Sequence, residues 1–174
     1  MTLLKSIKRS VVLRTALLLG FYCFDAITVS TTAVAATQPL TVTCGKAKMS
    51  LMCAGSDCGT TSLSLTNGDA KPTKISRPEG LERYTAVGLS CAKATDNTPY
   101  FVVQYGERPD GCAFCEWFHL YSTDGQLLTK SMPAILTDSS APEGHQQMPN
   151  NAQFDALDRK LGLGQPKMSY IDNP

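Results

Sequence analysis

Six of the chain's seven cysteines, Cys44, Cys53, Cys58, Cys91, Cys112 and Cys115, fall in one central stretch. No other feature constrains the fold as much, and its meaning depends on compartment. Thiols pair in an oxidising space and stay free, or bind metal, in a reducing one. The N-terminus supplies the compartment. Lys5, Lys8, Arg9 and Arg14 precede an apolar run from Thr15 to Phe24, and a polar stretch then leads to Ala33-Val34-Ala35-Ala36. A basic start, a short apolar core and small residues at alternate positions are the pattern of a cleaved export signal. The expected cut follows Ala35 or Ala36, which makes residues 1–36 the signal. The apolar run is about half the roughly 20 residues that a membrane-spanning helix needs. An uncleaved anchor is the alternative. Cys23 lies inside the leader and leaves with it, and the bulky Tyr22 before it does not suit lipid attachment.

Export makes the six remaining cysteines an expected set of three disulfides. Spacing alone does not choose among the pairings. Each bridge contributes roughly 2–4 kcal/mol, mainly by restricting the unfolded chain. Two other readings stay open. Cys112-Ala-Phe-Cys115 has the spacing of redox-active pairs, which need the first thiol at a helix N-terminus. The residues that follow, Glu116 to Tyr121, are aromatic-rich and read as a strand. Cys53 and Cys58 with Cys112 and Cys115 would also make four thiolates for zinc. The oxidising compartment favours bridges over both, so no metal and no cofactor are expected.

Charge narrows the partners. Without the leader's four basic groups and Asp25, twelve Lys and Arg face fourteen Asp and Glu, and the net charge moves from +1 to −2. A nucleic-acid binder is normally distinctly basic, so neither nucleic acid nor an anionic membrane is an expected partner. Residues 37–174 suit one domain.

Along that domain the patterns are mostly those of strands. Thr41–Cys44, Lys48–Cys53 and Ser62–Thr66 alternate or are β-prone, and Asn67-Gly68 marks a tight turn. Lys71 to Gly80 reads as loop. Tyr84–Ala92, Tyr100–Tyr105, Phe114–Tyr121 and Gln126–Lys130, separated by turn residues, read as a four-strand antiparallel meander. Gly88, inside the first of these, marks a bulge or a close contact. Asp138 to Pro149 reads as a polar loop. Asn150 or Asn151 then caps a helix near 151–162, with Phe154, Leu157 and Leu161 on one face and Gly162 and Gly164 as stops. The expected fold is β-rich α+β: one antiparallel meander and one C-terminal helix, held by disulfides.

Aromatic residues concentrate in the meander, and alternation places them on both faces. Trp117, His119 and Tyr121 share one face, and Phe118 and Leu120 share the other. A sheet that is apolar on both sides must be covered on both, or must bind something. The first outcome has the helix on one face and the remaining strands on the other. The second leaves a face for a protein partner, with Tyr105, Arg108, Trp117, His119 and Tyr121 as the candidate contact set. Arg108 lies in the Glu107-Arg108-Pro109-Asp110 turn beside that face. No catalytic set assembles from the sequence. His119 and Cys115 are four strand steps, about 13 Å, apart. His145 sits in a loop. The expected function is therefore that of an exported, periplasmic binding protein, an inhibitor or immunity-type protein acting on an exported enzyme. A thiol–disulfide or accessory enzyme using Cys112 and Cys115 is one alternative, and a structural envelope component is another. A secreted location is the alternative to the periplasm.

Overall fold

The computed structural model describes residues 38–55, 58–108, 116–130 and 132–171. The first sheet is built from β1 (Leu40–Cys44), β2 (Ala47–Ala54), β3 (Thr60–Asn67) and β4 (Thr73–Ile75), side by side in that order and antiparallel. Strand β2 has the alternation of a one-sided strand. Ala47, Met49 and Leu51 are buried, whereas Lys48 and Met52 are exposed.

The second sheet holds β5 (Thr85–Lys93), β6 (Pro99–Gly106), β7 (Trp117–Ser122) and β10 (Ser169–Tyr170), in the order β10-β5-β6-β7. Its centre is β6, buried along most of its length because both of its faces are covered. Phe101, Val103 and Tyr105 point toward the first sheet and join Met49, Leu51, Leu65, Leu89 and Trp117 in the larger core. Val102 and Leu120 point the other way, where Phe154, Leu157 and Leu161 of helix α1 (Ala152–Leu161) cover them. The molecule is therefore layered as sheet, sheet, helix. Both apolar faces of the meander are covered, by the remaining strands on one side and by the helix on the other.

Among the described residues, two disulfides tie this arrangement. Cys44–Cys91 joins the end of β1 to β5, so it links the two sheets. Cys53–Cys58 closes the loop between β2 and β3. Cys112 and Cys115, the other two of the six cysteines expected to form bridges, lie outside the described residues.

Several expectations need correction. The run Gln126–Lys130 forms no fourth meander strand; it touches β7 through an isolated bridge between Tyr121 and Leu127. The sheet instead gains its fourth strand at the opposite edge, where Ser169 and Tyr170 return to pair with Leu89 and Gly88. Pairing so short and so distant along the chain leaves no pattern in the sequence. The stretch Lys71–Gly80 is not all loop, because Thr73–Ile75 pairs with β3. The polar loop before the helix is the turn of a hairpin, β8 (Ile135–Thr137) with β9 (Gln147–Pro149). Of the two candidate caps, Asn150 accepts the Ala152 N–H through its Oδ1 at 3.2 Å, whereas Asn151 directly precedes the helix but does not cap it with its side chain. Its Oδ1 accepts from Phe118 N–H at 2.9 Å and its Nδ2 donates to Glu116 O at 2.5 Å, so it clamps the start of β7 instead.

Two glycines act as their sequence context implies. At Gly88 the β5–β6 register slips, and an added Cβ would sit 3.0 Å from the Tyr170 ring. Gly162 ends the helix at φ 61°, with its N–H donating to Asp158 O. A side chain would strain that left-handed backbone, and glycine adopts it freely.

Candidate functional site

The aromatic set comes first, because the sequence singled it out. Trp117 and His119 have no exposed surface, and Tyr105 and Tyr121 are 2% and 1% exposed. They share one face, but that face is the interior of the sandwich. Trp117 packs against Tyr84 with ring centroids 4.1 Å apart and planes tilted by 41°, and donates its Nε1–H to Ala134 O at 2.7 Å. The Tyr105 and Tyr121 hydroxyls bond each other at 2.9 Å. Burial raises the pKa of both, Tyr121 to about 12. His119 Nδ1 meets Thr129 Oγ1 at 2.9 Å, and that oxygen also accepts Leu120 N–H at 3.1 Å. Among the described residues, His119 Nε2 has no hydrogen-bond partner. Burial lowers the His119 pKa to about 4, partly opposed by the Thr129 backbone, so the ring is neutral at neutral pH. Apart from an edge of Tyr105 that reaches the cleft described below, these four side chains offer no surface for a partner. Covering by the first sheet turned the face inward, which strand alternation alone does not reveal.

Arg108 is placed differently. It is half-buried at the end of β6 and donates from Nη1 to Ile171 O at 3.2 Å. It also lines a hollow of about 330 Å³ together with Arg77 and Arg83, with Glu82 and Glu107 on the same walls. A second hollow of about 550 Å³ adjoins it, and Thr60, Arg77 and Glu82 line both. The second has an apolar floor of Leu63, Ile75, Ala86 and the edge of Tyr105, with Lys74 on its rim.

The cleft exists because β3 and β4 part company. Their pairing stops at Leu63 and Ile75, so Thr60–Ser62 and Ser76–Arg77 diverge. A hydroxyl pair bolts the bottom to the second sheet. Thr61 Oγ1 donates to Ala86 O at 2.7 Å, and Thr61 N–H donates to Thr85 Oγ1 at 2.8 Å. A hydroxyl has one proton. Thr85 must then supply the proton of the 2.7 Å contact between the two oxygens. Arg77 holds the far wall by donating from Nη1 to Leu81 O and to Glu82 O, at 3.5 and 2.5 Å. The Glu82 carboxylate accepts Gly80 N–H at 2.9 Å. Backbone N–H groups hold its pKa below the ordinary value, and Arg77 adds a smaller pull in the same direction.

Sequence reasoning found Arg108 but missed Arg77 and Arg83. Arg77 sits in a stretch read as loop and Arg83 just before β5, and only the fold brings them to the end of β6. Among the described residues, no three His, Cys, Asp or Glu side chains group so as to hold a metal ion. His145 is exposed on the hairpin loop. No family model matches the chain, and neither a curated protein nor a solved structure does.

Proposed function

We propose that this chain is exported and acts in the periplasm as a binding protein, of the inhibitor or immunity type, that blocks an exported enzyme by protein–protein contact. Residues 1–36 direct the export and are removed. The two disulfides, Cys44–Cys91 and Cys53–Cys58, support a site of action in an oxidising compartment. No helix among the described residues is long and apolar enough to cross a membrane.

The observation that carries the binding reading is the open cleft with three arginines on its walls. It is framed by strands of both sheets and bolted by the Thr61–Thr85 hydroxyl pair. Surfaces held this firmly bind with little ordering cost, and arginine is among the residues that carry most of the energy at interfaces.

The experiment is capture followed by inhibition. The exported protein, immobilised, is to retain one soluble enzyme from a periplasmic extract, and free protein is to suppress that enzyme's activity stoichiometrically. Sedimentation with the envelope and no retained enzyme would favour a structural role. Insulin reduction that disappears in Cys112→Ser would overturn the binding reading in favour of a redox one.

A further inference from the structure

The chain carries four arginines after residue 36: Arg77, Arg83, Arg108 and Arg159. Three of them line one hollow of about 330 Å³, and no lysine among the described residues does. A solvated cationic face does not sort the two residue types in this way. Guanidinium groups differ from ammonium in presenting a planar fork that grips a carboxylate through two parallel hydrogen bonds. The hollow also carries Glu82 and Glu107. The Glu82 carboxylate accepts the Gly80 N–H. Counting the described residues, Lys74 on the adjoining rim brings the charged side chains of the two hollows to four cations and two anions. The positive excess stands on a chain whose net charge after residue 36 is −2.

The second observation is shape. The two hollows adjoin, and Thr60, Arg77 and Glu82 line both. One end has a floor of Leu63, Ile75 and Ala86, and the other is ringed by arginine. An occupant that reaches both hollows is extended, apolar at one end and anionic at the other. A free phosphate would use only the arginine end.

We infer that this cleft is the contact site of the proposed binding protein, and that its occupant is an extended acidic segment of the partner protein. One apolar side chain rests on the Leu63–Ile75 floor, and carboxylates meet Arg77, Arg83 and Arg108. This inference rests on the binding reading above, and it identifies the partner by chemistry.

The test uses the exported protein and a blocked peptide of one leucine followed by four glutamates. Its controls are the same peptide with glutamines and a sulfated oligosaccharide of equal charge. Titration calorimetry is to detect the glutamate peptide and not the glutamine one, with affinity falling as salt rises. The double variant Arg83→Gln with Arg108→Gln is to weaken binding about tenfold. Arg83→Gln alone is to weaken it about threefold. Arg83 is exposed, so this single variant keeps the test meaningful if loss of the Arg108–Ile171 bond disturbs folding. Lys160→Gln, on the helix, is to change nothing. Equal binding of the two peptides, indifference to both arginine variants, or tighter binding of the oligosaccharide would each overturn the inference. The two readings fail separately. If the variants still inhibit a captured enzyme, the cleft assignment falls and the inhibitor reading stands. If the peptide binds at the arginines but no enzyme is inhibited, the reverse holds.

Discussion

The two faces of the second sheet are made from the same strands and differ by one residue of offset, yet they are buried to different depths. The face toward the first sheet holds Phe101, Val103, Trp117 and His119, all without exposed surface. The opposite face buries Val102 and Leu120 completely but leaves Tyr100 and Phe118 half-buried, and its cover is Leu128, Leu163 and Met168 with one helix none of whose residues is itself buried. A sheet laid on a sheet covers a broad area at close-packed spacing, whereas one short helix covers a stripe. The helix is held as much by polar contacts at its ends as by its apolar stripe. Asn151 bonds β7, Gln153 Oε1 accepts Lys130 N–H, and Leu161 O accepts from both Thr95 N–H and Thr95 Oγ1. The apolar interior between the sheets thus carries the fold, and the helix is an attachment to it.

Substitutions on the two faces break or sharpen this contrast. Trp117→Ala removes a fully buried indole and its bond to Ala134 O, and is expected to cost about 5 kcal/mol in denaturant unfolding. A loss under about 2 kcal/mol would mean that the inner face is not the main core. Replacing Cys44 and Cys91 together by alanine opens a link across 47 residues between the sheets. Chain entropy puts that loss at about 4 kcal/mol, against about 2 kcal/mol for Cys53 with Cys58. Similar losses for the two pairs would show that loop length does not govern them.

The third prediction concerns pH. His119 in the folded chain titrates at about 4, below its ordinary 6.5. The unfolded chain therefore takes up the proton first, and stability falls as pH drops from about 6.5 to about 4, by on the order of 3 kcal/mol. Above 6.5 this group is silent. His119→Gln should flatten that part of the stability–pH curve. An unchanged slope would assign the acid sensitivity to other groups. The smallest effect belongs to the helix side. Phe154 is half-buried against Phe118, with ring centroids 5.4 Å apart. Phe154→Ala should cost about 1–2 kcal/mol. A cost equal to that of Trp117→Ala would erase the distinction between the faces.

Much of this contrast was legible in the sequence. Alternation in Trp117–Tyr121 and Phe101–Tyr105 sorts side chains onto faces correctly, because the period of two is local geometry. Helix α1 was legible from Phe154, Leu157 and Leu161, and its end from Gly162. The bulge at Gly88 was legible because only glycine tolerates a ring pressed on its Cα. Strand β10 was not, since two residues carry no period. The clamp made by Asn151 was hidden as well. An asparagine before a helix signals a cap, and here a strand edge within reach competes successfully for the same amide. The arginine cleft was hidden for a similar reason. Arg77, Arg83 and Arg108 belong to three separate segments, and nothing in their spacing says that β3 and β4 diverge beside the end of β6.

The division has a physical cause. Composition, export pattern, strand periodicity and the helix stripe follow from interactions among residues close in the chain, so the sequence by itself determined a β-rich, disulfide-bearing fold with one helix. Which face of the meander turns inward, which cysteines pair among the described residues, and where three arginines meet depend on how the sheets stack. Stacking is decided by burial summed over distant segments. That sum placed Trp117 and its neighbours in the core and left Arg108, with Arg77 and Arg83, at the open end of the sandwich.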